Sequence, residues 1–283
     1  MAGLKKANQS DNEFDKVVSQ IENENVRTLS DISVSEDGYV YNEPMLAGYT
    51  DKNGVFHDTF TYREMNGKDE EAISKSDVRV NGAKMMNILV ERCVTQIGTL
   101  TKKECGTAEW GKIVRELLGG DLDYMAFKIR ELSKGKEVEF THKCPECGTK
   151  LTTIVQTDEF NIKPYMGKSS IDFELIRGYK DAKGQIHKTG TLRLPNGFDR
   201  EVVTPLFKKN VSTAMSMLLT RLVTFSDGAM VTQNQISEMT LRDREILEKI
   251  IKDNTFGIDT TIDIVCSSCG TDISGEAGQS NFL

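Results

Sequence analysis

Two cysteine motifs, Cys144-Pro145-Glu146-Cys147-Gly148 and Cys266-Ser267-Ser268-Cys269-Gly270, decide the predicted architecture of this 283-residue chain. In each C-x-x-C-G turn, two thiolates can point at one ion while the glycine supplies the positive φ of the tight turn. Two such turns together predict a tetrahedral four-cysteine site, the geometry that Zn²⁺ prefers in structural sites. The sequence therefore predicts one structural zinc ion per chain, with four metal ligands: Cys144, Cys147, Cys266 and Cys269.

The identity and role of the metal leave alternatives open. Iron in a rubredoxin-like site uses similar knuckles, and a redox dithiol would need only one C-x-x-C motif. His142, two residues before the first knuckle, could replace one thiolate or support the ligands from behind. Four thiolates close the coordination sphere and leave no bound water to activate, so the pattern favours a structural ion.

The segments around the knuckles alternate apolar and polar residues as strands do, at Glu137–His142, Lys150–Gln156 and Thr260–Val265. Two hairpins around one ion form a zinc ribbon, here split by a long stretch of chain. That stretch combines two helical patterns with three β-like runs, at Ile171–Ile176, Thr189–Leu194 and Glu201–Pro205. Apart from the two knuckles, no internal repeat is evident.

Three amphipathic patterns between residues 86 and 132 predict a small helical bundle, and Gly135 follows the last of them as a C-cap. The predicted fold class is therefore α+β: a small helical bundle plus a split zinc ribbon interrupted by a β-rich and helical insertion. We predict four regions, namely a polar N-terminal arm (1–58), a helical domain (59–136), the split ribbon (137–160 with 256–283) and an inserted α+β domain (161–255).

The polar arm contains one short apolar pattern at helical spacing: Phe14, Val17, Val18 and Ile21. This spacing predicts a short helix that docks on another surface. An arm that orders only on a partner and a merely disordered tail are both compatible with the composition.

Composition and missing motifs exclude several function classes. With 36 Lys+Arg against 43 Asp+Glu, the formal charge of −7 disfavours a protein that wraps duplex DNA. No run approaches the ~18 apolar residues of a membrane-spanning helix, and the start of the chain lacks the pattern of a secretory signal. There is no G-x-G-x-x-G, Walker, H-E-x-x-H or G-x-S-x-G motif, so we expect no enzyme activity.

Four motifs in the middle of the chain carry a resemblance to a known family: Tyr62–Glu71 (YREMNGKDEE), Gly119–Asp123 (GGDLD), Ile129–Gly135 (IRELSKG) and Cys144–Cys147 (CPEC). In their order and spacing, the chain resembles baseplate and tail-assembly proteins of tailed phages, the hub-assembly proteins of T-even-like contractile tails and their relatives. The resemblance covers about residues 55–160, with the second knuckle as an extension.

The resemblance implies a non-enzymatic baseplate component or tail-assembly factor, with no catalytic residues. It implies contacts with other tail or baseplate proteins and with copies of itself. From the charge and the lack of a long apolar run, we expect neither nucleic acid nor membrane as a partner. The protein would act in the host cytoplasm during assembly, and would stay in the virion tail baseplate if retained. The alternative hypothesis is a nucleic-acid-binding zinc-ribbon protein.

Overall fold

A β-hairpin opens the part of the chain that the structure, a computed structural model, describes: residues 38–276. Strands β1 (Tyr39–Thr50) and β2 (Phe56–Arg63) pair antiparallel, and β3 (Val94–Ile97) and β4 (Leu100–Thr101) extend the sheet in the order β1-β2-β3-β4. Residues 39–50 and 56–58 of the predicted polar arm therefore lie in strands. The helical pattern predicted from Phe14 to Ile21 lies outside the described residues.

Five helices belong to the same unit: α1 (Gly67–Ile73), α2 (Ser76–Arg79), α3 (Gly82–Cys93), α4 (Lys102–Glu116, kinked at Gly106) and α5 (Gly119–Lys134). Helices α3, α4 and α5 contact the strands of this sheet, and α1 and α2 pack against α3. The apolar faces of α3, α4 and α5 meet in one core that includes the fully buried Trp110 and Leu89. Gly135 is the C-cap of α5 with a φ of 80°, as the sequence predicts. Cys93 is a buried residue of the core.

Two hairpins carry the cysteine knuckles. Strands β5 (Glu137–Lys143) and β6 (Lys150–Gln156) flank the first, and β12 (Thr261–Val265) and β13 (Asp272–Glu276) flank the second. A 3₁₀ turn (Thr157–Glu159) follows β6. The short strand β7 (Asn161–Lys163) then pairs with β11 (Gly257–Asp259).

Between β7 and β11 the chain forms a second sheet and four more helices. The sheet order is β10-β9-β8, from β8 (Ser170–Lys180), β9 (Ile186–Arg193) and β10 (Val223–Phe225). The helices are α6 (Gly197–Phe207), α7 (Val211–Leu222), α8 (Gln233–Glu238) and α9 (Leu241–Asp253). They enclose a separate core that includes Phe225 and Leu219.

The predicted β-like run Glu201–Pro205 is wrong, because these residues lie inside helix α6. A capping box between Asn196 and Asp199 starts this helix. Pro205 has no N–H to donate to the Glu201 carbonyl one turn earlier, and the Asn81 side-chain amide donates to that carbonyl instead, at 2.8 Å. A tertiary hydrogen bond thus satisfies the carbonyl that the proline leaves free.

The expectation of no internal repeat is also wrong. The pattern D-x-x-G-x-x-H-x-T-x-T-x-R-x-x-N-G-x-D occurs twice, at residues 51–69 and 181–199. Both copies run from the tip of a hairpin, along its second strand, to the first turn of a helix. We name residues 39–156 the first unit and residues 170–276 the second unit.

Two sets of hydrogen bonds to buried aspartates occur in both units. Asp69 binds Arg63 and Arg92 in the first unit, as Asp199 binds Arg193 and Arg221 in the second. Near the N-terminus of α5, the Asp121 carboxylate accepts backbone N–H bonds from a bulge in β1. The Asp243 carboxylate of α9 does the same for a bulge in β8.

The two units pack directly against each other through α6. Arg115 on α4 binds Glu201 at 3.0 Å, and Arg200 binds Asp123 on α5 at 2.8 Å. Backbone hydrogen bonds join residues 117–119 to residues 195–197. The second unit is thus a repeat of the first that is packed onto it, and it overlaps both the predicted inserted domain (161–255) and the second half of the predicted ribbon (256–283).

Candidate metal centre

Each knuckle is closed by its own backbone. Cys144 N–H donates to the Thr149 carbonyl and Gly148 N–H to the Cys144 carbonyl. Cys266, Thr271 and Gly270 repeat both bonds in the second unit. The trailing glycines have φ values of 73° and 74°, as the C-x-x-C-G pattern predicts.

The structure brings all four predicted cysteines together. Their Sγ atoms lie within 4.8 Å of one another, with 3.7 Å between Cys144 and Cys269 and 3.6 Å between Cys147 and Cys266. All four are free thiols. A tetrahedron with Zn–S bonds of about 2.3 Å has S–S edges of about 3.8 Å, so the spacing fits a four-thiolate ion.

The buried and exposed thiols alternate. Cys144 and Cys266, the first cysteine of each knuckle, are buried, whereas Cys147 and Cys269 are exposed. Beneath the knuckles, Phe140 and Ile262 occupy equivalent positions on β5 and β12 and share one apolar cluster with Phe127 of α5. The cysteine site therefore lies on a small core of its own, formed by both units.

Two threonines that were not among the predicted site residues contact the exposed thiols. The Thr149 hydroxyl lies 3.2 Å from the Cys147 sulfur, and the Thr271 hydroxyl lies 3.2 Å from the Cys269 sulfur. Hydrogen bonds from the Thr149 hydroxyl and backbone lower the pKa of Cys147 to about 6, and Thr271 lowers the pKa of Cys269 in the same way. The signal was present in the sequence, because both knuckles read C-x-x-C-G-T.

His142 does not join the cysteine cluster among residues 38–276. Its ring lies beside Phe140 instead, with 6.2 Å between the ring centroids. Cys105 is half-buried and lies outside the cluster. The geometry therefore favours four sulfur ligands over a mixed set with histidine.

A family model described as "T4 bacteriophage base plate protein" matches residues 51–277. Since the match spans most of the chain, the protein belongs to this family, and its predicted resemblance to tailed-phage baseplate proteins is confirmed. Comparisons with curated proteins and with solved structures found no match.

The family match places this chain among the structural components of phage baseplates, and hence of virion tails, where the members contact other phage tail proteins. The match extends through both units and both knuckles, well beyond residues 55–160. Within residues 38–276, no helix combines the length and apolarity needed to cross a membrane.

Proposed function

We propose that this protein is a non-enzymatic baseplate subunit or baseplate-assembly factor whose two units are joined by one structural Zn²⁺. The ligands would be Cys144, Cys147, Cys266 and Cys269. The observation that carries the proposal is the convergence of four free sulfurs at tetrahedral spacing, two from each unit.

The position of the four cysteines in the fold supports a structural role for the ion. Each knuckle closes the end of one unit, so an ion between them ties the end of the second unit to the end of the first. A zinc ion that crosslinks residues far apart in sequence restricts the unfolded chain strongly, and its binding energy becomes folding energy.

The donor set argues against catalysis at this ion. Four thiolates leave no open position for water or substrate, so neither water activation nor Lewis-acid catalysis is available to it. The protein would therefore present surfaces to other tail proteins and to copies of itself, with the ion holding those surfaces in place.

Nucleic-acid binding by the ribbon is less compatible with the local charges. Lys143 and Lys150 flank the first knuckle, but Asp263 and Asp272 flank the second. Phosphate recognition requires a basic surface, and acidic groups beside one knuckle oppose it. A filter-binding assay at low salt should detect no tight, salt-sensitive binding of DNA or RNA.

Metal analysis of the purified full-length protein tests the zinc proposal. We expect about one zinc per chain, because four thiolates form one closed site. A zinc site is colourless, whereas iron held by four thiolates absorbs visible light. The Cys147→Ser variant should lose the metal, and the matched Cys105→Ser variant should keep it. Full metal occupancy in Cys147→Ser would contradict the ligand assignment.

Mass spectrometry of purified phage particles and of assembly intermediates tests the baseplate role. A retained subunit should be found in both, and an assembly factor in the intermediates alone. Absence from both would contradict the proposal, whatever the metal analysis shows.

A further inference from the structure

The two units pack on each other through different faces. The second unit uses α6, and the first unit uses α3, α4 and α5. In the repeat, α6 corresponds to α1, and α7 and α9 correspond to α3 and α5, since their aspartate and arginine bonds coincide. Within residues 38–276, α1 makes no comparable contact with α7, α8 or α9. The interface is therefore heterologous, and such an interface leaves one face of each kind unused.

Helix α1 carries the unused face of the first unit. Helix α6 uses Arg200 and Glu201 for its ion pairs with the first unit, and both are half-buried. Glu70 and Glu71 occupy these two positions in α1, and both are exposed. Gly67, the first residue of α1, is exposed as well. We name Gly67, Glu70 and Glu71 the α1 face.

The unused face of the second unit lies at the N-terminal ends of α7 and α9. Asn81, the N-cap of α3, is 7% exposed and donates to α6, whereas its counterpart Asn210, the N-cap of α7, is exposed. Val211 and Leu241, the first residues of α7 and α9, are 64% and 75% exposed. The surface that α6 covers in the first unit is thus open in the second. We name Asn210, Val211, Leu241 and Arg244 the α7–α9 face.

One polar contact between the units has a charged counterpart on the two unused faces. The Glu201 carboxylate accepts a hydrogen bond from the Asn87 amide at 2.9 Å. Asn87 and Ser216 each lie six residues after the N-cap of their helix, and the Arg244 guanidinium donates to the Ser216 hydroxyl at 2.8 Å. Arg244 therefore lies where Glu71 of a second copy would arrive, and a guanidinium has donors to spare for its carboxylate.

A second contact between the units has a counterpart with like charges. Arg200 binds Asp123 at 2.8 Å. Glu70 corresponds to Arg200 and Glu245 corresponds to Asp123, so both positions are acidic on the unused faces. Like charges that face each other oppose association. A contact between copies is therefore weaker than the contact between the units, and it depends on protein concentration.

We propose that the α1 face of one copy docks on the α7–α9 face of a second copy, in the way that α6 docks on the first unit. This docking deepens the proposed function, because it gives the contacts between copies a location. Each copy presents one face of each kind, so a dimer still has one unused face at each end. Association therefore continues beyond two copies, into a closed ring or an open filament.

Sedimentation velocity of the full-length protein at increasing concentration tests this docking. The wild type should form oligomers larger than a dimer. Glu71→Arg should weaken association about tenfold, because it places two arginines face to face at Arg244. Glu70→Arg should strengthen association about tenfold, because it replaces the like charge opposite Glu245. The control Asp58→Arg, at an exposed acid of β2 outside both faces, should associate as the wild type does.

A mixture of two blocked variants tests whether the contact is head-to-tail. Glu71→Arg blocks the α1 face, and Leu241→Asp blocks the α7–α9 face. Both changes are at exposed positions, so the melting temperatures should stay near that of the wild type. At a concentration where each variant alone is monomeric, an equal mixture should form dimers and nothing larger, because one intact face of each kind remains.

Three outcomes would overturn the proposal. The first is a wild type that stays monomeric at every concentration. The second is a dimer that grows no further and that the mixture does not restore, which would place the contact on two identical faces. The third is association that requires another tail protein. Zinc content and presence in phage particles are measured separately, so none of these outcomes would contradict the zinc site or the baseplate role.

Discussion

The first and second units have the same framework and different surfaces. The shared residues are those whose polar groups end strands and start helices: the Asp69 and Asp199 clusters, the Asp121 and Asp243 carboxylates, and the glycines of the bulges. Buried polar groups are costly to leave unpaired, so each of these residues depends on its partners. The two units thus share the residues that bond the buried backbone, and they differ in residues on the surface.

The two buried histidines, His57 and His187, have one partner in common and one that differs. Nε2 of His57 lies 3.6 Å from Asp51, and Nε2 of His187 lies 3.6 Å from Asp181. At Nδ1 the surroundings differ, since His57 accepts a backbone N–H from Thr99 whereas His187 lies 2.5 Å from the Asp227 carboxylate. The hairpin turns that begin at Asp51 and Asp181 therefore have the same structure, whereas the segments that contact the histidines at Nδ1 differ.

We expect the largest loss of stability from cysteine substitutions in the two knuckles, which test whether both units contribute ligands to one metal site. Cys147→Ser and Cys269→Ser each remove the exposed thiol of one knuckle, and both should lower the free energy of unfolding by more than about 3 kcal/mol through loss of zinc binding. Thermal unfolding of the full-length protein, with and without a chelator, measures this. Cys105→Ser serves as the control. A large loss for one variant and none for the other would show that the knuckles do not share an ion.

The buried aspartate clusters come next. Asp69→Asn and Asp199→Asn each leave two arginines without their carboxylate, and because these arginines are partly exposed we expect a loss of about 2–3 kcal/mol. The loss should be larger for Asp69, since Arg63 is 24% exposed and Arg193 is 41% exposed. Denaturant unfolding compares them, with the exposed Asp77→Asn as the control. A larger loss for Asp199→Asn than for Asp69→Asn would mean that the burial of the paired arginine does not determine the size of the loss.

The same carboxylates predict an acid-dependent loss of stability. Burial alone would raise the pKa of Asp69, but hydrogen bonds from Arg63, the Asn66 backbone and Arg92 outweigh it and hold the pKa at about 2, against an ordinary 3.8. Burial, Arg193, the Asn196 backbone and Arg221 act likewise on Asp199, whose pKa is also lowered.

Because the folded-state pKa is lowered, the folded protein binds the proton more weakly than the unfolded chain does. The stabilisation is therefore complete above about pH 4 and is lost as the pH falls towards 2, by about 2 kcal/mol for Asp69. Unfolding curves between pH 5 and 2 should be less pH-dependent in Asp69→Asn than in the wild type. Parallel curves would contradict the pairing.

The bulge glycines give the smallest effect and the closest match between the units. An alanine Cβ at Gly48 would lie 2.8 Å from the His57 carbonyl oxygen, and one at Gly178 would lie 2.8 Å from that of His187. With φ values of 81° and 94°, both alanine variants should lose about 1–2 kcal/mol. Gly54→Ala, also at positive φ but with open space around its Cβ, should lose less. Thermal melts that rank Gly54→Ala lowest would contradict the steric argument.

Much of the fold follows from local patterns. The knuckle hairpins and three of the helices of the first unit, α3, α4 and α5, were predicted from residue spacing, and Gly135 was predicted as a C-cap. The run Glu201–Pro205 was not, because its β-branched residues favour a strand and its proline disfavours a helix interior, whereas a tertiary hydrogen bond from Asn81 supports the helix. The repeat was not predicted, because the residues that the two copies share are separated by residues that differ.

The sequence by itself predicted the four sulfur ligands of a metal ion and the resemblance to a phage baseplate family. Cysteine spacing follows from the local geometry of a turn, and such geometry is encoded in a few adjacent residues. Only the tertiary structure decided that residues 170–276 form a second copy of the first unit, and that this copy packs on the first through helix α6. Such contacts depend on packing between segments that are distant in sequence, and a local sequence pattern does not specify which distant segments pack together.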